Sequence, residues 1–209
     1  STVNIHLLNY TMRDERTRDI LNGVSDNTTI EVDIDISPFG STTPILEYNH
    51  TFNETNPATI CLSDLGNSTY RMDAQARYWS EDRVVEFHHI QNFTIQNSSV
   101  PELVTLHDLA TVDSQEFLIT FKDSNFIPVE NALIDITRKY VGDGVFRSVE
   151  VPKTDGSGQA LGHLVLGDVV YKITVTKEGV LLGTFQNIVP FCDNVGTGDC
   201  KINLNSFTS

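Results

Sequence analysis

Apolar and polar residues alternate with a period of two along most of this chain. Ile30, Val32, Ile34 and Ile36 interleave with Glu31, Asp33, Asp35 and Ser37, a pattern that buries one face of an extended strand and leaves the other in water. Tyr70, Met72, Ala74, Ala76 and Tyr78 alternate in the same way with Arg71, Asp73, Gln75 and Arg77. Val85, Phe87, Phe93 and Ile95 share a parity, which places Asn92 and Thr94 on the opposite, wet face. Val3, Ile5 and Leu7 predict a first strand, and residues 45–52 and 58–62 predict two more, with Asn, Gly, Pro and Ser between them. Only residues 11–21, ending before Gly23, are expected to form a short helix.

Beyond Ser99-Val100-Pro101 a connecting strand is expected over 103–109, and then a new set of strands begins. Phe117, Ile119 and Phe121 alternate with Leu118, Thr120 and Lys122, and Ala132, Ile134 and Ile136 follow. Residues 146–151, 159–165, 169–176, 180–189 and 202–204 complete the series, the last expected to pair back through a cysteine hairpin. Two runs of short strands at this spacing predict an all-β fold of two immunoglobulin-like β-sandwich domains in tandem, residues 1–108 and 109–209. A chain of 209 residues is long enough to bury two cores of that size. No internal repeat or low-complexity run shows in the sequence.

The second half carries a resemblance. Phe117 to Phe121, then Ile127-Pro128-Val129-Glu130-Asn131-Ala132-Leu133-Ile134, Lys153-Thr154-Asp155-Gly156-Ser157-Gly158-Gln159-Ala160, and Val170-Tyr171-Lys172-Ile173-Thr174-Val175 with Lys177-Glu178-Gly179, together resemble the carboxypeptidase regulatory-like (transthyretin-like) domains over about residues 115–190. Val169 stands where that family usually has Gly before the Tyr, and residues 140–146 add a longer hairpin. The resemblance implies a β-sandwich module with accessory, adhesive or structural use and no catalytic residues. In the residues themselves, Asp155 and Gly158 suit a tight turn needing a side-chain acceptor and a positive φ, and Tyr171 suits burial at a sandwich edge. The first half resembles no family by motif.

Charge and composition narrow the partners. With 28 acidic against 14 basic side chains the formal charge is -14, which repels nucleic acid and anionic membrane. There is no run of 18 apolar residues and no basic-then-apolar leader, as expected of a mature exported chain or a piece of a larger one. Asn-x-Ser/Thr acceptors occur at Asn9, Asn27, Asn49, Asn53, Asn67, Asn92 and Asn97. These seven lie within residues 1–99, where 10 Asn and 21 Ser plus Thr would yield roughly two by chance. Residues 100–209 hold six Asn and no acceptor. The excess predicts an N-glycosylated, extracellular or cell-surface protein. Cys192 and Cys200 bracket a turn-forming loop and are expected to form a disulfide. The remaining Cys61 is expected as a buried apolar residue, with an intermolecular or cross-domain bridge as the alternative.

Candidate chemistry is sparse. Ser157 lies in a turn and has no nucleophile-elbow context. The histidines are His6, His50, His88, His89, His107 and His163, without a zinc-ligand spacing, so no metal site is expected. Glu31, Asp33 and Asp35 read as a solvated acidic stripe in preference to a glycosidase pair. No cofactor is expected; calcium is the one ion for which the sequence offers oxygens, from Asp123, Ser124, Asn125, Asp143 and the 193–199 loop, none of them matching the twelve-residue calcium loop. An isopeptide bond would need Lys122 beside an Asn such as Asn203 with a carboxylate alongside. The function expected is a non-enzymatic structural subunit of a cell-surface assembly, such as a filament with β-strand exchange, self-associating or bound to another surface protein. The first strand, residues 2–8, would pair in its own sheet or insert into a neighbour's. The alternative is an adhesin-type ectodomain that recognises carbohydrate or a protein receptor, with Trp79 as contact residue.

Overall fold

The computed structural model describes residues 5–63, 68–96, 100–192 and 200–206. Within them run fourteen strands: β1 Ile5–Asp14, β2 Thr29–Pro38, β3 Leu46–Asn53, β4 Ala58–Leu62, β5 Tyr70–Trp79, β6 Glu86–Ile95, β7 Glu102–Asp108, β8 Gln115–Lys122, β9 Leu133–Tyr140, β10 Val145–Glu150, β11 Gln159–Leu164, β12 Tyr171–Lys177, β13 Val180–Ile188 and β14 Lys201–Asn205. The chain divides into two compact units, Ser1–Glu81 with His88–Asp108, and Asp82–Phe87 with Leu109–Ser209. The molecule is all-β, and each unit is an immunoglobulin-like sandwich of two sheets.

In the first unit the sheets are β4-β1-β7 and β3-β2-β5-β6. The alternation read from the sequence is the burial alternation: Ile30, Val32, Ile34 and Ile36 are buried, as are Met72, Ala74, Ala76 and Tyr78. They meet Leu8, Tyr10 and Met12 of β1 in one core. Residues 11–14, expected as helix, continue β1 instead. Leu8, Tyr10 and Met12 repeat at the strand period, and the side chain of Asn56 holds the Met12 main chain at both its N–H and its C=O, each at 2.9 Å. β1 is central in its sheet, antiparallel to β4 and parallel to β7. The connecting strand expected over 103–109 is β7, and it completes this sheet by pairing with β1.

The second unit repeats the arrangement strand for strand. Its sheets are β11-β8-β14 and β10-β9-β12-β13, the first unit's orders with seven added to each label, and β14 runs parallel to β8 as β7 does to β1. The sequence shows no repeat because a sandwich core asks only for apolar residues of suitable volume at inward positions, and many sequences meet that demand. Phe117, Ile119, Phe121, Ile134, Ile136, Tyr171, Ile173 and Val175 fill this core.

The turn residues behave as their chemistry requires. Asp155 Oδ1 accepts hydrogen bonds from the Ser157 and Gln159 N–H groups at 2.8 and 3.0 Å. Gly158 has φ +70, and a Cβ there would lie 2.6 Å from the Phe121 carbonyl oxygen. Tyr171 is fully buried, and its hydroxyl accepts a hydrogen bond from the Val165 N–H at 3.0 Å.

Two cysteine expectations need correction. Cys192 and Cys200 are bonded, with Cα atoms 5.1 Å apart, but they do not close a hairpin within one sheet. β13 belongs to the sheet of β12, whereas β14 pairs with β8 in the opposite sheet, so the disulfide staples the crossing between sheets. Cys61 is a free, exposed thiol on the outward parity of β4, opposite His6.

Candidate functional site

The outer face of the β3-β2-β5-β6 sheet collects much of what the sequence singled out. Pairing sets Asp33 opposite Asn49 and Gln75, Asp35 opposite Glu47 and Asp73, and Thr29 opposite Asn53 and Trp79. Glu31, Asp33 and Asp35 thus form a stripe along β2 flanked by further polar side chains. Asp35 is held above the usual carboxylate range by desolvation first, and then by the like charges of Asp33, Glu47 and Asp73. Glu31 is neutralised by Arg77, whose Nη1 lies 2.8 Å from Glu31 Oε2. The same guanidinium sits 4.7 Å from the centroid of the half-buried Trp79 ring and covers one of its faces. That is the packing role for Trp79, on the face where a sugar ring would stack.

The structure sorts the glycan acceptors. Asn49 and Asn53 are exposed on the outer parity of the edge strand β3, with Asn53 Oδ1 3.4 Å from the Thr29 hydroxyl. Asn92 is exposed, adopts φ +55, and donates its main-chain N–H to Asp73 Oδ1 at 2.7 Å, which places it beside the acidic stripe. Asn27 is exposed in the turn before β2. Asn9 differs: it lies in the central strand β1, half-buried, with its side-chain oxygen out of solvent and no hydrogen-bond partner. Asn67 and Asn97 fall outside the described residues.

Other candidates are already occupied. Asp123 Oδ1 caps the N–H groups of Asn125 and Ile127 at 2.8 and 2.9 Å. Asp143 accepts from the Val145 N–H and pairs with Arg147 at 3.1 Å. Ser124 is exposed in the same turn as Asp123, and the calcium candidates of 193–199 fall outside the described residues. Lys122 stands in register with Asn205, and Asn203 with Thr120. His89 Nε2 lies 2.9 Å from Gln75 Oε1.

One cluster in the second unit escaped the sequence reading. Glu86, Glu150 and His163 each bring a ligand-type atom within 4.8 Å of the others. Both carboxylates are fully buried, and the His163 side chain is 13% exposed. Glu86 Oε2 accepts from the Leu109 N–H at 3.0 Å, and Glu150 Oε2 accepts from the His163 N–H at 2.7 Å. Glu150 Oε1 lies 3.3 Å from His163 Nδ1. Alternation alone would send Glu150 outward between Val149 and Val151. A register shift between Ser148 and Glu150 makes Val149 and Glu150 both face inward. Gly162 leaves the space: a Cβ there would meet Ile136 Cδ1 at 2.7 Å and Ile119 Cδ1 at 2.9 Å, and lie 3.7 Å from Glu150 Oε2. The only sequence signal was a Glu within an apolar run, too common to single out.

Among the described residues, no helix is long and apolar enough to cross a membrane. No protein-family model matches the chain, and no curated protein matches it. Among solved structures it is similar to the Bacillus anthracis TIE protein at 16% identity and a TM-score of 0.29, covering 97% of this chain and 33% of that one, so it spans about a third of that protein's length. It is similar to the fimbrial anchor protein Mfa2 from Porphyromonas gingivalis at 9% identity and a TM-score of 0.30, covering 88% and 82% of the two chains. A streptococcal ancillary pilin gives 10% identity and a TM-score of 0.31, covering 100% of this chain and 64% of that one. At these values the likenesses assign neither fold nor function.

Proposed function

We propose that this chain is a non-enzymatic, N-glycosylated, cell-surface structural protein that associates with copies of itself. The observation that carries the reading is the edge strand β13. It lies last in its sheet, its nine residues Val-Leu-Leu-Gly-Thr-Phe-Gln-Asn-Ile include no charge and no proline, and Val180 and Leu181 are exposed. Unpaired main-chain groups beside apolar side chains template strand pairing, and proteins blunt such edges with lysine, proline or bulges. β13 has neither lysine nor proline, and its two register shifts against β12, between Leu181 and Gly183 and between Phe185 and Ile188, leave residues 183–185 in regular pairing. The glycan acceptors support the same polarity. Asn27, Asn49, Asn53 and Asn92 are exposed on the first unit, whereas the second unit carries no acceptor among residues 109–209. Sugars then shield one unit and leave the other free for protein contacts. The second unit's resemblance to carboxypeptidase regulatory-like modules, supported by the Asp155 turn and the buried Tyr171, fits a structural role. Because β1 is paired on both sides within its own sheet, exchange through residues 5–14 would require opening that sheet, so β13 is the favoured contact.

The test is the native protein's assembly state by light scattering, compared with Leu181→Lys, alongside glycopeptide mapping. Assemblies that Leu181→Lys dissociates without lowering the melting temperature, with occupied Asn27, Asn49, Asn53 and Asn92 and bare Asn9, are expected. A monomer at all concentrations would overturn the assembly reading, and bare asparagines on natively produced protein would overturn the glycoprotein reading.

A further inference from the structure

We propose that Glu86, Glu150 and His163 bind a divalent transition-metal ion in the second unit. The three residues come from β6, β10 and β11, distant in sequence, and converge with both carboxylates wholly buried. Two carboxylates that close together and out of water must be balanced by a cation, because desolvation and mutual repulsion both oppose their charge. A metal ion does this with all three donors that the strands bring together.

Each carboxylate has one oxygen held by a main-chain amide, Glu86 by Leu109 and Glu150 by His163. Main-chain anchoring of this kind orients metal ligands and costs nothing when the ion arrives. The donor set is two hard oxygens and one imidazole nitrogen. That composition suits zinc or manganese, whereas calcium and magnesium take oxygen almost exclusively. Zinc contacts of about 2.0–2.2 Å require ligand pairs roughly 3.3–3.6 Å apart in a tetrahedron. The Glu150–His163 pair already stands at 3.3 Å, and the widest separation in the cluster is within 4.8 Å. A contraction of about one ångström at the widest pair completes the set. The partly exposed edge of His163 marks the route by which an ion enters, and three protein ligands leave a fourth position for water.

The binding is tested on the full chain, dialysed against chelator and then equilibrated separately with Zn²⁺, Mn²⁺ and Ca²⁺. Bound metal after gel filtration is measured by mass spectrometry, and thermal melting is followed in parallel. One equivalent of Zn²⁺ or Mn²⁺ per chain is expected, with a melting temperature raised by several degrees and no response to Ca²⁺. Glu86→Gln and His163→Gln are each expected to weaken binding at least tenfold. Metal-free Glu86→Gln is expected to melt no lower than metal-free wild type, since it removes one of two like charges; this also shows that the variant folds. His6→Ala controls for the exposed His6 and Cys61 pair on β1 and β4 and is expected to leave the stoichiometry unchanged. No retained Zn²⁺ or Mn²⁺, or retention unaffected by Glu86→Gln and His163→Gln, overturns the proposal and leaves a proton-shared carboxylate pair in its place.

Discussion

His88 stands on β6 near two further imidazoles, and burial, with the charges of His89 and His107, pushes its pKa down to about 4. In the unfolded chain the same ring titrates near 6.5. Between those values the unfolded state binds the extra proton, so stability rises with pH across the window. The first unit is therefore expected to hold its full stability above about pH 6.5 and to lose stability progressively as pH falls toward about 4. Chemical denaturation of wild type and His88→Gln at pH 4, 5, 6 and 7 checks this. The variant should show a flatter dependence, and parallel curves would remove His88 as the cause. Adjacent residues such as His88 and His89 alternate between strand faces, but the desolvation that moves the pKa comes from what packs around β6.

Strands were legible wherever one face is buried and the other wet. Along β2 and β5 the polar positions are charged and the apolar ones β-branched or aromatic, so the pattern itself states which face goes inward. It failed where a different force decided. Residues 11–14 carry Arg and Asp and read as helical, yet β7 pairs with them along one side and Asn56 holds the Met12 main chain on the other. Tertiary pairing outweighs a weak helical preference. The Cys192–Cys200 pair was legible, but not the crossing that it staples, because its flanking strands look alike and only their partners reveal opposite sheets. With a separation of eight residues, closing that loop contributes about 2–3 kcal/mol in the chain-entropy model. Cys192→Ser with Cys200→Ser should lower the second unit's denaturation midpoint by a corresponding amount and leave the first unit's transition in place. Calorimetry resolving the two transitions would sink this reading if both moved together.

For the whole molecule, the informative feature is the segment 82–87, which precedes the main body of the second unit in sequence yet groups with it. Val84 N–H donates to the Leu109 carbonyl at 3.1 Å, Thr111 N–H to that of Asp82 at 3.0 Å, and Val151 N–H to that of Phe87 at 2.8 Å. At about 1 kcal/mol for each such bond, a fragment of residues 82–209 should be more stable than one of 109–209 by roughly 2–4 kcal/mol. Equal unfolding midpoints would show that the segment is incidental. Sequence alone determined the fold class, the strands with a single buried face, the acidic character and the acceptor asparagines, because these follow from residue chemistry and a period of two. Tertiary structure decided that the two units share one topology, that β1 is central, that Asn9 is recessed while Asn49, Asn53 and Asn92 stand at one polar face, and that Glu86, Glu150 and His163 meet. Each of these depends on which strands pair and where a ladder slips by one residue, and pairing between distant strands leaves no local mark on the residues that make it.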